Sequence, residues 1–300
     1  MATLGVMIEA QEGLDWDHWR RIATDSDRHG FASLRCSDHC LSVVGVRGRR
    51  SLQTWAALAL AAEWTERIQI GPMVSPMTFY VPAVLARIAL AVDELSGGRV
   101  LLGVGTGWNQ AEHEAMGIPF PSLRERFDNL EAGIARIHST LELAEHPLPI
   151  LIGGGGEKRT LTIAAREATE WNLLGYDPDS YRAKSRLLDE RCREIGRDPS
   201  EIRRSVMAGH LIGRDQAELE ARGLRLAEVL PSLQGQSGAD VVSSLRDQLG
   251  RWFVGTPAEI VEQMRPYVAG GVDLFMLQHY VLDDMEALNL LASEVMPRLS

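Results

Sequence analysis

Histidine and acidic side chains stand together at two places in this sequence. Ser37-Asp38-His39 follows a short apolar segment, and an aspartate beside a histidine can orient or charge the imidazole, which titrates near neutral pH. Glu112 and His113 follow another apolar segment and could move protons. A Ser-His-Asp triad is disfavoured because adjacent side chains rarely meet in triad geometry. These residue types predict acid–base chemistry.

Other histidine and cysteine residues point less clearly to chemistry. Cys36, His39 and Cys40 have metal-binding side chains, but their spacing lacks a second ligand pair, so we predict no metal site. His210 and His279 each follow a further apolar segment. Taken singly, a histidine at such a position is more often structural than catalytic.

Two glycine-rich segments are suited to binding an anion. The first reads Gly103-Val-Gly-Thr-Gly-Trp-Asn109, in which Trp108 stands where a dinucleotide fingerprint needs its last glycine. The second reads Gly153-Gly-Gly-Gly-Glu-Lys-Arg-Thr160 and opens a helical segment. Its glycines, helix start and basic residues favour a phosphate group. A tight turn for the first segment and a flexible, solvated turn for the second are the alternatives.

The elements that must position these residues alternate between strand and helix. Eight apolar, strand-like segments are separated by helical patterns, without a flexible linker. They cover residues 4–8, 32–36, 68–75, 100–104, 149–152, 170–174, 202–212 and 273–280. This pattern predicts an α/β fold with a single (β/α)8 TIM barrel over residues 1–300, including a variable helical insertion at about 214–255. A doubly wound open sheet is the alternative.

Barrel enzymes carry their chemistry at the C-terminal ends of the strands. The polar and glycine segments described above all follow predicted strands. Residues 71–76 (Gly-Pro-Met-Val-Ser-Pro) also end one, and two prolines in six residues predict a bulge or an unusual peptide geometry there. We therefore expect these segments to share one site.

The composition of the chain indicates which binding partners are disfavoured and where in the cell we expect the protein. A net charge of −10 over 300 residues disfavours binding to nucleic acid or to an anionic membrane. The longest apolar stretch, residues 55–62, is too short to span a bilayer, and the first ten residues lack the basic region of a signal peptide. Three cysteines cannot all pair with one another, so we expect reduced thiols in the cytoplasm.

Several of these segments together resemble the luciferase-like monooxygenase superfamily. The resemblance is carried by Ser37-Asp38-His39, residues 78–86, residues 95–127, residues 150–156 and residues 254–260. The motif Gly-Trp-Asn-x-Ala-Glu-His-Glu at 107–114 is similar to the subgroup that depends on coenzyme F420, a deazaflavin. The resemblance implies a barrel, commonly dimeric, with the cofactor at the strand C-termini. It also implies a non-prolyl cis peptide on the third strand, at Met73–Val74.

The resemblance further implies a division of roles. Catalysis is expected from His39, which we favour for handling the proton, with Glu112 and His113 in reserve. Separately from the resemblance, we expect the substrate to contact residues that follow predicted strands, namely Glu9, Trp108, His210 and His279. The cofactor-binding residues are expected to be Asp38, His39, Met73, Val74, Ser75, Gly105, Thr106, Gly107, Trp108, Asn109, Gly153, Gly154, Gly155, Gly156, Lys158 and Arg159.

Three functions remain open at this point. The favoured one is hydride transfer between F420 and an unidentified small organic substrate by a homodimer. The second is an FMN-dependent monooxygenase supplied by a separate flavin reductase, and the third is a flavin-binding protein without catalysis. The chain departs from some deazaflavin dehydrogenases by carrying Trp108, where they place a glutamate after Gly-Thr-Gly, which weakens any transfer of their substrate chemistry.

Overall fold

The computed structural model describes residues 2–46 and 48–299, which leaves Met1, Arg47 and Ser300 outside the description. All of the strand pairings described are parallel. The strands are β1 (Thr3–Ile8), β2 (Ser33–Cys36), β3 (Gln69–Pro72), β4 (Ser75–Pro76), β5 (Leu102–Gly105), β6 (Ile150–Gly153), β7 (Glu170–Leu174), β8 (Arg203–Ile212), β9 (Trp252–Gly255) and β10 (Leu274–Gln278).

The sheet closes into the predicted barrel. Its strand order is β3-β2-β1-β10-β8-β7-β6-β5-β4, with β9 paired to β8. A bridge between Ile70 and Val100 joins β3 to the segment that leads into β5, so the two ends of the sheet meet. All eight predicted strand segments are confirmed, and the α/β TIM barrel is the observed fold. Strand β9 was not predicted.

The third predicted strand is interrupted at the bulge that its prolines indicate. β3 and β4 are separated by Met73 and Val74, whose peptide bond is cis as expected. β3 pairs with β2, whereas β4 pairs with β5, so the interruption lies where the chain passes from one neighbour to the next.

Helices follow most strands and cover the outside of the barrel. A capping box of Ser122 and Glu125 opens the longest helix, and a second box of Thr256 and Glu259 opens the helix after β9. The helices are α1 (Trp16–Arg28), α2 (Thr54–Trp64), α3 (Pro82–Ser96), α4 (Gln110–Met116), α5 (Leu123–Leu143), α6 (Thr160–Glu167), α7 (Pro178–Glu194), α8 (Gln216–Val229), α9 (Gly238–Arg246), α10 (Pro257–Ala269) and α11 (Met285–Leu290).

Side-chain caps fix the starts of two helices. The side chain of Gln53 accepts a hydrogen bond from Ala56 N, and α2 begins at Thr54. The side chain of Ser237 accepts a hydrogen bond from Asp240 N, and α9 begins at Gly238. Each cap satisfies a backbone N–H group of the first helical turn.

The insertion between β8 and α10 has its own apolar core. Leu219, Leu226, Val241 and Leu245 pack between α8 and α9, and this cluster extends to Trp252. The insertion thereby rests on the C-terminal end of the barrel. No helix in residues 2–46 and 48–299 is long and apolar enough to cross a membrane.

The barrel interior buries an ion pair far from that end. Arg35 on β2 is fully buried, donates from Nη2 to Gln69 Oε1 at 2.7 Å and lies 3.6 Å from Glu170 Oε2 on β7. Burial lowers the pKa of Arg35 to about 10, which the charge of Glu170 opposes. Glu170 also accepts a 2.8 Å hydrogen bond from Ser205 Oγ. The pair is an internal electrostatic contact across the barrel.

We predict that Glu170→Gln lowers the free energy of unfolding by about 3–5 kcal/mol, because it leaves the Arg35 guanidinium buried without its counter-charge. Urea denaturation followed by circular dichroism measures this change. Glu262→Gln is the matched control, since its partner Arg265 is also exposed, and we expect it to change stability by under about 1 kcal/mol. Equal effects of the two substitutions would show that Arg35 does not depend on Glu170.

Candidate functional site

A cavity of about 590 Å³ opens at the C-terminal ends of the barrel strands. Its size suits a cofactor or a small substrate. The predicted site residues that line it are Glu9, Asp38, His39, Met73, Val74, Gly105, Thr106, Gly107, Trp108, Asn109, Glu112, His113, Gly153 and Gly154. Those that do not line it are Ser75, Gly155, Gly156, Lys158, Arg159, His210 and His279.

An ion pair between His39 and Glu112 stands in the cavity wall. His39 Nδ1 lies 2.7 Å from Glu112 Oε2, and the backbone N–H groups of Cys40 and Leu41 donate to Glu112 Oε1 at 2.7 and 3.1 Å. The side chain of Glu112 is 1 % exposed, whereas that of His39 is 20 % exposed. Helix α4 thus carries a buried carboxylate that fixes the loop after β2 and leaves one ring edge of His39 toward the cavity.

The two partners shift each other's pKa. Burial acts against the charged form of His39, but the hydrogen bond to Glu112 and its charge outweigh burial, so the pKa of His39 is raised. Burial likewise opposes ionisation of Glu112, but His39 and the two backbone donors outweigh it and lower the pKa of Glu112. The geometry therefore favours an imidazolium–carboxylate pair, a group that can give up a proton inside the cavity.

Asp38, which follows β2 and precedes His39, is held by residues in and after β4. Its Oδ2 accepts hydrogen bonds from Ser75 Oγ at 2.5 Å and from Tyr80 Oη at 2.8 Å. Burial raises the pKa of Asp38 despite these bonds. Ser75 does not line the cavity; it joins Asp38 to Trp55, whose Nε1 donates to Ser75 Oγ at 3.2 Å. Asp38 is a cavity-lining carboxyl locked to β4.

His113 has both ring nitrogens engaged within the protein. Nδ1 lies 2.7 Å from Asn109 O, and Nε2 lies 2.8 Å from Thr78 Oγ1. The ring packs between Phe79 and Phe120, with centroids 4.9 and 4.8 Å away. Its predicted reserve role in catalysis is therefore less favoured than positioning of the loop that ends at Asn109.

Glycines of the β5 end let the backbone pack against β4. A Cβ on Gly105 would lie 2.7 Å from Val74 Cγ2, and a Cβ on Gly107, which has a φ of +72°, would collide with Thr78 Oγ1. Arg126 from α5 donates to the carbonyl of Gly107 and holds the loop in place. The glycines here permit close packing of two loops at one wall of the cavity.

The glycine turn after β6 leads from the cavity to solvent. Gly153 and Gly154 line the cavity, and Gly154 N donates to Asn172 O on β7. In the part of the chain that the structure describes, the backbone N–H groups of Gly155, Gly156 and Lys158 have no protein acceptor. The side chain of Lys158 is exposed and likewise unpaired there. These donors are available to an anion at the cavity edge.

Arg159 departs from the prediction. Its guanidinium pairs with Asp128 at 2.7 Å and with Glu131, and it lies over the ring of Phe127 on α5. Those contacts hold the charge against α5 and away from the cavity. Its assignment as a phosphate ligand is not supported, and the side chain fastens the start of α6 to α5 instead.

Glu9 lines the cavity floor within a network of amides. Gln278 Nε2 donates to Glu9 Oε1 at 2.6 Å, and Gln11 Nε2 donates to Glu9 Oε2 at 2.9 Å. Ser37 Oγ in turn donates to Gln11 Oε1 at 2.5 Å. Glu9 lines the cavity, so the contact with a substrate that we predicted for it remains a prediction. The two amide donors fix the orientation of its carboxylate.

His210 and His279 lie outside the main cavity. Their rings stack at 5.4 Å, with His279 Nδ1 3.3 Å from His210 Nε2, and both line a small separate void beside Arg222 and Asp284. Burial lowers the pKa of each to about 3. The substrate role predicted for them is therefore not supported; they form a neutral stacked pair between β8 and the β10 end.

Sequence reasoning missed one wall of the cavity. Gln248, Arg251 and Trp252 line it beside Tyr280. The first three precede or open β9, the strand that was not predicted. The short apolar stretch Phe253-Val254 between Gly250 and Gly255 was the available signal. Among the described residues, no group of three or more side chains is arranged to hold a metal ion.

Comparison with known proteins agrees with this fold. The luciferase-like monooxygenase model matches residues 1–274. An F420-dependent glucose-6-phosphate dehydrogenase of Amycolatopsis mediterranei is 26 % identical, over 92 % of each chain. An FMNH2-dependent dimethylsulfone monooxygenase of Pseudomonas putida is 23 % identical, over 90 % of this chain and 84 % of its own. A solved F420-dependent secondary alcohol dehydrogenase superposes with a TM-score of 0.82 at 20 % identity, covering all of both chains.

We predict that Glu112→Gln lowers the pKa of His39, because it removes the carboxylate that stabilises the charged imidazole against the effect of burial. The ion pair stabilises the fold at pH values above the ordinary pKa of a glutamate, where Glu112 is ionised. This stability is lost as the pH rises through the raised pKa of His39, because the imidazole then loses its charge. The stability difference between the native chain and the variant should therefore be larger near pH 6 than near pH 9. NMR titration of the His39 ring and urea denaturation at both pH values measure this.

The control for that experiment is Glu114→Gln. Glu114 lies on the same helix, is exposed and accepts a hydrogen bond from Gln110. It should leave the titration of His39 unchanged. An identical His39 pKa in Glu112→Gln and in the native chain would contradict the pairing.

Proposed function

The chain belongs to the luciferase-like monooxygenase family, and we propose that it is an F420-dependent oxidoreductase acting on a small organic substrate. The observation that carries the proposal is the His39–Glu112 pair in the wall of a glycine-lined barrel cavity. Oxidation of an alcohol, or its reverse, moves a proton together with a hydride, and this pair can hold that proton. The F420-dependent relatives support the choice of cofactor.

The cavity fits a deazaflavin with a phosphate-bearing tail. One wall is formed by Met73, Val74 and the loop 105–109, which offer an apolar surface and closely packed backbone for a flat ring. The unpaired N–H groups at residues 155–158 and the free Lys158 lie where the glycine turn leaves the cavity, and they suit a phosphate. When bound, F420 supplies two-electron hydride chemistry at C5 of its ring.

The residues of this chain would then divide the work. His39, held charged by Glu112, would donate a proton from its cavity-facing ring edge when the substrate is reduced, and its neutral form would accept the proton when the substrate is oxidised. Asp38, fixed by Ser75 and Tyr80, borders the same space. Trp108, which is 64 % exposed, meets the His39 ring edge-on at 5.6 Å and borders the same space.

A monooxygenase that uses FMN and a separate reductase is the second candidate, since the Pseudomonas putida relative is FMNH2-dependent. A flavin-binding protein without catalysis is the third. Organisation as one barrel domain with the insertion at 214–255, a homodimeric assembly and a cytoplasmic location remain predictions. So does the absence of nucleic-acid and membrane partners.

Titration of the protein with oxidised F420 and, separately, with FMN distinguishes these functions. We expect quenching of F420 fluorescence with micromolar affinity and much weaker binding of FMN. Preferential binding of FMN would favour the monooxygenase. Binding of neither cofactor would refute the first two functions, and binding of F420 without turnover across a panel of alcohols and carbonyl compounds would favour the third.

We predict that Lys158→Ala weakens F420 binding by about 1.5–3 kcal/mol, because it removes a charge-assisted contact to the phosphate. Fluorescence titration measures the change. Arg265→Ala, an exposed substitution on α10, is the control and should leave the affinity as it was. An unchanged affinity for Lys158→Ala would remove this residue from the phosphate site.

We predict that His39→Ala lowers kcat by about 10²–10⁴-fold, the range expected for loss of a general acid–base group, with a much smaller change in F420 affinity. Steady-state kinetics and cofactor titration on the same preparation separate the two effects. A normal kcat would take His39 off the catalytic list.

A further inference from the structure

The cavity has two chemically different halves. Beside β4, β5 and β6 its wall includes the glycine turns at 105–107 and 153–154, together with Met73 and Val74. On the far side, between the end of β7, the start of β9 and the end of β10, it is lined by large side chains, among them Leu174, Trp252 and Tyr280. The proposed function places the cofactor in the first half. The second half is then the space for the substrate.

This second half has an apolar, aromatic wall. The rings of Trp252 and Tyr280 pack at 5.7 Å with an angle of 30° between their planes. Gly209 on β8 makes room for the indole, because a Cβ there would lie 2.6 Å from Trp252 Cδ2. Leu174 and Val43 stay 51 % and 37 % exposed at the edge of the same space. Apolar side chains left open beside a cavity mark a surface for an apolar ligand.

The same half holds one unpaired cation. Arg251 is the only arginine or lysine among the described residues that line the cavity. Its Cγ lies 3.4 Å from the position a Cβ of Gly175 would take, so its stem runs along the end of β7. No carboxylate in the described residues pairs with it. The cavity's carboxyl groups, Glu9, Asp38 and Glu112, are all engaged in contacts of their own.

We propose that this half binds an organic carboxylate with an apolar body, and this inference rests on the proposed function. The planar guanidinium of Arg251 matches a carboxylate through two parallel hydrogen bonds. The body of the ligand lies against Trp252 and Tyr280. A doubly charged sugar phosphate is disfavoured, because its hydroxyl groups would face an aromatic wall and no second arginine or lysine of the described lining would meet its second charge.

Calorimetric titration of the full chain, with and without bound F420, tests the inference with three probes. They are trans-cinnamate, the uncharged trans-cinnamyl alcohol and glucose 6-phosphate. We expect cinnamate to bind more tightly than either of the others. Arg251→Gln should weaken cinnamate binding by about tenfold or more and leave cinnamyl alcohol unchanged. Trp252→Leu should weaken both of these probes.

Controls separate this inference from the proposed function. Arg251→Gln should retain the F420 affinity and the circular dichroism spectrum of the native chain, and Arg265→Gln should change no titration. Tighter binding of glucose 6-phosphate than of cinnamate, failure of cinnamate to bind, or an equal loss of both cinnamyl probes in Arg251→Gln would overturn the substrate class. Loss of F420 binding by the native chain would instead refute the proposed function.

Discussion

The carboxylate of Glu112 is the contact on which the organisation of this site depends. It receives the imidazole of His39 and two backbone N–H groups of the following residues, so one side chain on α4 fixes both the charge of His39 and the path of the loop after β2. Because Glu112 is almost fully buried, water cannot replace these bonds. The short helix that carries it is in turn fastened through His113 to Thr78, beyond β4.

The barrel supplies this contact with its setting. Parallel strands bring β2, β4, β5 and β6 to the same edge, so segments distant in sequence form one wall. Glycines at the end of β5 let the backbone pack closely in that wall, and the glycines after β6 leave backbone N–H groups without a protein acceptor in the described residues. The insertion after β8 adds the opposite wall, which is aromatic and carries Arg251. The site thus combines an edge formed by the barrel strands with a wall that follows β8 in the chain.

Sequence patterns predicted the strands well, because each is a short apolar segment buried on both faces. They also predicted which segments share the cavity, because strand ends converge in a barrel. Sequence patterns did not predict the position of a side chain where contacts with residues distant in sequence determine it. Arg159 follows a glycine turn suited to phosphate, yet Asp128 and Glu131 on α5 hold its charge elsewhere. His210 lies on β8 and His279 follows β10, but they pair with each other. Arg251 precedes β9, which lies in the segment predicted to be a helical insertion.

A crystal structure of the chain with oxidised F420 would locate the cofactor in the cavity. We expect the ring to lie along Met73, Val74 and the loop 105–109, within reach of His39, with the phosphate on the N–H groups of residues 155–158. A phosphate bound instead at Arg251, or a ring lying against Trp252 and Tyr280, would contradict the assignment of the two halves of the cavity.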